Sequence, residues 1–418
     1  MERMILSERD IPRKAWLLGW VSFFNELSSN MIYPILPLFF IQILQIPVFL
    51  IGVIEGISKA AGAILPVLYS RILKGIKKKR DMLYLGYGIS AFARPLFFMV
   101  ITFPQTLLVR CIDCLGEGFH KPTVEDVLKT DTDSATYNKI LLSNRTKFVL
   151  GAILGPLLAY SLYLYFFGNY RAIFWLSVVP AVIGLLIIGS LKNEECDAKS
   201  EPAPAFTFRI RDYGGDFRKF LIIAMIGAFA NFSYFFVFIL GSISSYRPDQ
   251  LLLLWAGANI AATVSLVYFA RISTSFSHRK ALILSLILQA TIWYGFANCI
   301  NLPPFFKAIS FFALLLGLGF YSGLSGGLMN RFISDLVPPE IVPKARLTFN
   351  FYTGIMLLFS NLLAGYVWKA VGPSYTFLVG ASVASLCGML LIFIKVGRDQ
   401  TNKEKPKGQA HSNHSISP

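Results

Sequence analysis

The chain has 418 residues, of which 55% are hydrophobic and only 15% are charged, and its mean hydropathy is +0.59. Soluble domains carry roughly a quarter charged residues, so a water-soluble fold of this length is excluded because it could not bury so much apolar surface. The net charge of +16 does not indicate nucleic-acid binding, because the basic residues are concentrated in the connections between long uncharged runs.

The uncharged runs are each long enough to cross a membrane. A hydrocarbon core of about 30 Å requires roughly 20 residues at 1.5 Å per residue, and lipid offers backbone polar groups no alternative partner to a helix. The sequence predicts an all-α membrane protein with twelve transmembrane helices. They lie near residues 15–41, 48–70, 82–103, 105–127, 148–168, 172–191, 219–246, 250–271, 281–301, 305–334, 347–370 and 374–395.

Lysine and arginine are distributed unevenly between the two sides of these spans. Of the 39 basic residues, 32 lie on one side, four on the other and three within spans. Cytoplasmic loops carry such an excess of basic residues. The sequence therefore predicts a multi-pass protein of the inner membrane with both termini in the cytoplasm. The polar, mixed-charge start, Met1–Lys14, lacks the pattern of a cleaved secretory signal.

A charged connection that contains two prolines divides the spans into two blocks of six. We expect an N-terminal half at 1–191, a cytoplasmic linker at 192–217, a C-terminal half at 218–396 and a disordered cytoplasmic tail at 397–418. The pair Phe24-Asn25 in the first span corresponds to Ala230-Asn231 in the seventh. Two pseudo-symmetric six-helix halves indicate an internal repeat, and transporters place their binding sites between such halves.

Short motifs, in order and in the matching spans, resemble the major facilitator superfamily from Ala15 to Lys395. They are Phe23–Ser29, Met31–Pro34, Ile54–Ile57, Leu85–Gly88, Ala93–Pro95, Arg110 with Asp113, Gly116 and Gly118, Gly151 with Leu154–Ala159, and Tyr170–Phe174. The resemblance implies a central cavity between two six-helix halves, and it is closest to bacterial drug or metabolite carriers. One motif departs from the family, because Lys74 and Thr274 stand where its two inner loops carry an aspartate.

Charged side chains within spans are costly and therefore mark candidate functional sites. All of them fall in the N-terminal half: Glu26, Glu55, Lys59, Arg94, Arg110, Asp113 and Glu117. Glu26 has no charged neighbour on its own helix, and the resemblance places this helix against the cavity. We therefore interpret Glu26 as a proton-coupling residue, with Asp113 and Glu117 as further candidates. Arg110 is a candidate substrate contact, although a structural pair with Asp113 explains it equally well.

The remaining three charges are interpreted as members of structural ion pairs. Glu55 and Lys59 lie one turn apart on one helix, so we expect them to neutralise each other. Arg94 precedes Pro95 on a helix that the resemblance places away from the cavity.

Uncharged polar residues complete the predicted site. Asn25, Asn231 and Tyr234 are the candidate substrate contacts. The other intramembrane amides are expected to hold helices together; they are Asn259, Gln289, Asn350 and Asn361.

The sequence contains no phosphate-binding loop, metal-ligand set or nucleophile–base pair, so we expect neither an enzyme nor a cofactor or bound metal. Cys111 and Cys114 have redox-pair spacing but lie within a span, where packing is the simpler role. The prediction is a monomeric secondary transporter in the lipid bilayer, with a small organic solute and protons as its partners. A siderophore or another polar metabolite is the predicted solute. The alternatives are a drug or metabolite efflux pump and a transporter-like receptor or sensor.

Overall fold

The computed structural model describes residues 11–72, 79–129, 134–191, 210–272 and 277–394. These residues form fifteen α-helices and short 3₁₀ turns, with no β-strand among them. The helices are α1 (Arg13–Ile32), α2 (Leu36–Gln42), α3 (Val48–Ile72), α4 (Lys79–Leu96), α5 (Phe103–Lys129), α6 (Ser134–Tyr165), α7 (Tyr170–Leu176), α8 (Val178–Gly189), α9 (Gly215–Gly227), α10 (Phe235–Ile243), α11 (Pro248–Ile272), α12 (His278–Cys299), α13 (Pro304–Leu336), α14 (Val342–Ala370) and α15 (Pro373–Phe393).

The all-helical membrane fold is confirmed. Within the described residues, nine helical stretches are long and apolar enough to cross a membrane. The other three predicted spans coincide with α1 plus α2, with α4 and with α5. These three segments carry Glu26, Arg94, Arg110 and Asp113, and such charges lower the hydropathy of a span. The helix order is consistent with the predicted number of twelve.

Three predicted spans are not continuous helices. The sixth is interrupted at Ser177, between α7 and α8. The first span is divided between α1 and α2 at residues 33–35, where Pro34 lacks a backbone N–H and cannot continue the helical hydrogen bonding. The seventh span is divided between α9 and α10 by a 3₁₀ turn at Ala228–Ala230 and a non-helical stretch at residues 231–234.

Small residues allow the helices to approach one another closely. At Gly155 of α6, an added Cβ would lie 2.8 Å from the carbonyl oxygen of Leu27 in α1. Between the halves, α3 contacts α14, α6 contacts α11, and α2 contacts α10. At Gly56 of α3, an added Cβ would lie 2.9 Å from the carbonyl oxygen of Leu358 in α14. Glycine therefore sets the helix spacing both within a half and between the halves.

The hydrophobic clusters distinguish the two ends of the bundle. We call the end that carries α2, α7 and α10 the sealed end, because one cluster there combines both halves and includes Phe39, Phe40, Phe235 and Phe238. At the other end, which carries most of the basic residues and is called the basic end, the described residues form separate clusters. One cluster contains Leu18 and other residues of the N-terminal half, and the other contains residues of the C-terminal half alone.

Some predictions fall outside the described residues. These include the substituted loop positions Lys74 and Thr274, most of the predicted linker and the predicted tail. The domain boundaries drawn from the sequence therefore stay a prediction.

Candidate functional site

A buried carboxylate connects the two halves below the sealed end. Glu55 of α3 is fully buried, and its Oε1 accepts a hydrogen bond of 2.9 Å from Arg110 Nε in α5. Its Oε2 accepts a hydrogen bond of 2.7 Å from the hydroxyl of Ser233, in the broken part of the seventh span. The backbone N–H of Ser233 in turn donates to Asn361 Oδ1 of α14 at 2.8 Å. Glu55 is therefore paired within its own half and hydrogen-bonded to the other.

The ion pair continues through the N-terminal half. Arg110 Nη1 donates to Asp113 Oδ2 at 2.8 Å, one turn along α5. Asp113 Oδ1 lies 3.9 Å from Arg94 Nε in α4, and Arg94 Nη2 donates to Asn25 Oδ1 in α1 at 2.8 Å. Two guanidinium groups thus alternate with two carboxylates, and all four side chains are buried. Such alternation offsets the desolvation of each charge.

Glu55 is hydrogen-bonded to Arg110 and not to Lys59, the partner expected from the sequence, although Lys59 and Glu55 interact electrostatically. Both carboxylate oxygens of Glu55 are occupied by Arg110 and Ser233, and Lys59 Nζ instead lies 5.7 Å from the centre of the Tyr33 ring. The guanidinium of Arg110 reaches Glu55 from a neighbouring helix and bonds a second carboxylate with the same planar group, which a lysine one turn away on α3 cannot do.

A small cavity lies beside this chain of charges, within the N-terminal half. It has room for about one water molecule and is lined by Ser29, Ile32, Tyr33, Leu36, Arg94, Phe97, Arg110 and Asp113. Three buried polar atoms of the residues that line it have no hydrogen-bond partner among the described residues, namely Arg94 Nε, Arg94 Nη1 and Asp113 Oδ1. Two are donors and one is an acceptor, a combination that a bridging water satisfies.

The other two predicted proton-coupling residues lie near this chain of charges but outside it. Glu26 is half-buried on α1, and its Oε2 accepts a hydrogen bond of 3.1 Å from Asn30 Nδ2. Glu117 is half-buried on α5, one turn beyond Asp113, and interacts electrostatically with Asp113 and Arg110. Glu117 therefore interacts electrostatically with the network, and Glu26 is hydrogen-bonded to Asn30.

Asn231 lies at the break in the seventh span, where the backbone leaves the helix. Its Oδ1 accepts a hydrogen bond of 2.8 Å from Gln289 Nε2 of α12. Gln289 Nε2 also donates to the carbonyl of Ala230 at 3.1 Å, and Trp293 Nε1 donates to that carbonyl at 2.8 Å. Side chains thus satisfy a carbonyl that the break releases, as a bilayer requires. The exposed Asn231 side chain stabilises the break, and its contact with a substrate stays a prediction.

Sequence reasoning missed Ser233, Tyr33 and Trp255. The rings of Tyr33 and Tyr234 lie 5.9 and 5.7 Å from the ring of Trp255 in α11, so Trp255 contacts both halves. No pattern in the sequence distinguishes Ser233, because a serine in a span usually bonds its own backbone. Ser285 does so, donating to the carbonyl of Leu282. Only the break before α10 turns the hydroxyl of Ser233 toward the other half.

A helical bundle sealed at one end, with a buried charge network that meets a broken helix between two halves, is the architecture of a membrane transporter. The sequence model of the family described as Major Facilitator Superfamily matches residues 18–258 and 220–418. The chain belongs to the major facilitator superfamily.

Relatives and solved structures agree with this assignment. A relative from Methanocaldococcus jannaschii, described as an uncharacterized MFS-type transporter, is 27% identical over 406 residues, which cover 93% of this chain and 96% of the relative. The crystal structure of the nucleoside transporter NupG has a similar fold, with a TM-score of 0.72 and 15% identity over 92% of this chain and 100% of that chain. A POT family transporter in complex with a thioalcohol-conjugated peptide has a TM-score of 0.71 and 12% identity over 92% and 98%.

Proposed function

We propose that the protein is a secondary active transporter that moves a small organic solute across the inner membrane by alternating access. The observation that carries this proposal is the hydrogen bond between Glu55 and Ser233, which joins the two halves just below the sealed end. The halves share a hydrophobic cluster at that end and have separate clusters at the basic end. Opening the sealed end requires this bond to break, so the bond is a gate contact.

Proton coupling is the second part of the proposal, and it rests on the three carboxylates Glu26, Asp113 and Glu117. Asp113 borders a cavity with room for water, and Arg110 bonds both Asp113 and Glu55. Proton uptake by Asp113 would leave Glu55 as the only anion bonded to Arg110. The geometry of the gate contact would then depend on the protonation of a residue that does not touch the other half.

The remaining parts of the proposal concern the solute and the setting. Asn25, Arg110, Asn231 and Tyr234 are the proposed substrate contacts, and a siderophore or another polar metabolite is the proposed solute. We place the monomeric protein in the inner membrane with both termini in the cytoplasm, so that the basic end faces the cytoplasm.

Flux into proteoliposomes tests this proposal. Vesicles loaded with a pH-sensitive dye would receive siderophores, nucleosides, short peptides and organic acids under an imposed pH gradient, and both solute uptake and lumenal pH would be followed. Glu26→Gln retains the shape of the side chain but cannot titrate, so we expect it to abolish gradient-driven accumulation while solute binding persists. Glu340→Gln is the matched control, because Glu340 is exposed in the turn before α14.

The outcomes separate the two parts of the proposal. Absence of protein-dependent flux for every solute would reject the transporter function. Accumulation that persists in Glu26→Gln and also in Asp113→Asn would leave the transporter function intact and reject proton coupling through these carboxylates.

A further inference from the structure

A cluster of one cation and three aromatic rings lies directly below the gate contact, and both halves contribute to it. We call it the Lys59 cluster and define it as Tyr33, Lys59, Tyr234 and Trp255. Lys59 Nζ lies 5.7 Å from the centre of the Tyr33 ring and interacts electrostatically with the Tyr234 hydroxyl. Trp255 packs against both tyrosines, at ring distances of 5.9 and 5.7 Å. Lys59 and the two tyrosines are half-buried, so the cluster retains an accessible face.

No carboxylate of the described residues bonds Lys59 directly. Glu55, one turn away on α3, interacts with it electrostatically, but both oxygens of Glu55 are hydrogen-bonded to Arg110 and Ser233. Among the described residues, no acidic oxygen lies within 4.0 Å of Lys59 Nζ, whereas Arg110 bonds both Glu55 and Asp113. The guanidinium of Arg110 also lies 5.7 Å from the centre of the Tyr33 ring. An ammonium removed from water gains from neighbouring aromatic faces, but a counter-ion stabilises it much more. The cluster therefore presents, beside aromatic rings, an ammonium that no carboxylate contacts directly among the described residues.

We propose that the Lys59 cluster binds the anionic group of the solute, and that the solute is an organic anion with a planar apolar part. This inference rests on the proposed transport function and names the substrate class for it. The ammonium of Lys59 pairs with a carboxylate or similar group, and the rings of Tyr33, Tyr234 and Trp255 stack against the planar part. A neutral or cationic solute of the same shape gives Lys59 no directly bonded counter-ion and binds more weakly.

The position of the cluster also links solute binding to the gate. Lys59 lies one turn beyond Glu55 on α3, and Tyr234 follows Ser233 in the chain. An anion bound to Lys59 therefore lies next to the hydrogen bond that joins the halves. Since Tyr33 and Lys59 belong to one half and Tyr234 and Trp255 to the other, a bound solute contacts both halves at the place where they must separate.

The test compares ligands that differ in charge and little else. Purified protein in nanodiscs of phosphatidylcholine, which supply no anionic lipid, would be titrated calorimetrically with indole-3-acetate, benzoate and nicotinate and with the corresponding neutral amides. We expect at least one carboxylate to bind about tenfold to a hundredfold more tightly than its amide, the range for a hydrogen-bonded charge. Lys59→Met should remove this difference, and Lys59→Arg should retain most of it.

Lys147→Met is the matched control. Lys147 Nζ lies 5.0 and 5.5 Å from the rings of Trp16 and Trp20, so it is also a cation among aromatic rings, but all three residues belong to one half. Its substitution should leave the preference for carboxylates unchanged. Should Lys59→Met fail to fold, the comparison of each acid with its amide in the unsubstituted protein still decides the question of charge.

The results distinguish this inference from the function on which it rests. Failure of all three carboxylates to bind, equal binding of acids and amides, or full retention of the preference in Lys59→Met would overturn the anion site. Saturable flux of a neutral or cationic solute would then leave the transporter function standing. Conversely, anions that bind through Lys59 but are never transported into proteoliposomes would support the site and reject the transport function.

Discussion

Removing the hydroxyl of Ser233 should shift the protein toward the state that is open at the sealed end. In Ser233→Ala, Glu55 keeps its bond to Arg110 but loses the 2.7 Å hydrogen bond to the other half. A hydrogen bond to a charged group contributes about 1.5–3 kcal/mol. The ratio of open to sealed molecules should therefore rise about tenfold to more than a hundredfold.

Spin labels at the sealed end can measure this shift. Phe167 is 98% exposed and Val371 is 58% exposed, and they lie in short connections of the two halves. Cysteines introduced at both positions, in a protein whose native cysteines have been replaced, would give the distribution of distances between the labels. We expect a population at longer distance in Ser233→Ala that is scarce without the substitution, and we expect Ser233→Thr to restore the original distribution because it keeps a hydroxyl.

The control separates the gate contact from a general loss of hydrogen bonding. Ser233 Oγ also accepts a hydrogen bond of 3.3 Å from the backbone N–H of Phe235, at the start of α10. Ser285→Ala likewise removes a buried hydroxyl that bonds the backbone of its own half, and it should leave the label distances unchanged. An unchanged distribution in Ser233→Ala, or an equal change in Ser285→Ala, would refute the reasoning.

Three further substitutions test the packing and the charge network. Arg110→Ala leaves two buried carboxylates without their shared partner, so the free energy of unfolding should fall by about 3–5 kcal/mol, seen as a lower melting temperature. Arg247→Gln changes a side chain that is 69% exposed beside Asp249, so it should cost less than about 1 kcal/mol. Gly155→Ala places a methyl group 2.8 Å from a carbonyl oxygen of α1, so it should reduce the yield of folded monomer in size-exclusion chromatography. Gly326→Ala is the control, because its new methyl group meets open space and should leave that yield unchanged. Gln289→Leu leaves the break before α10 with fewer partners, so amide hydrogen exchange there should accelerate.

The sequence predicted the helical fold well because its signal is physical and long-range. Apolar runs of about 20 residues and the uneven distribution of basic residues are both imposed by the bilayer. The breaks in the first and seventh spans were missed for different reasons. Pro34 is visible in the sequence, but prolines are tolerated within transmembrane helices. The break around Asn231 depends on Gln289 and Trp293, which lie about 60 positions further along the chain.

The charged residues of the site could be found from the sequence, but their partners could not. The free-energy cost of a charged side chain within the bilayer is enough to identify Glu55, Arg94, Arg110 and Asp113 as candidate functional residues, since such charges are rare in membrane spans. Pairing depends on which helices are neighbours and how they are rotated. A pair with Lys59 on the same helix was therefore the natural hypothesis for Glu55, and the residue that bonds its carboxylate in the structure is Arg110 from another helix.

The unequal chemistry of the two halves bears on how easily they can separate. Glu55 is charged, but its contact in the other half is the hydroxyl of Ser233. Had the contact been an arginine, parting the halves would leave an unpaired charge on each side, at about 3–5 kcal/mol for a broken buried pair. With a hydroxyl, Glu55 keeps Arg110 when the halves part, and Ser233 can be solvated by water entering the opening. The cost falls to that of one hydrogen bond to a charged group, about 1.5–3 kcal/mol. Binding of a proton or a small solute can supply a free energy as large as this cost. Concentrating the charges in one half therefore keeps the sealed and open states close enough in free energy for ligand binding to shift the equilibrium between them.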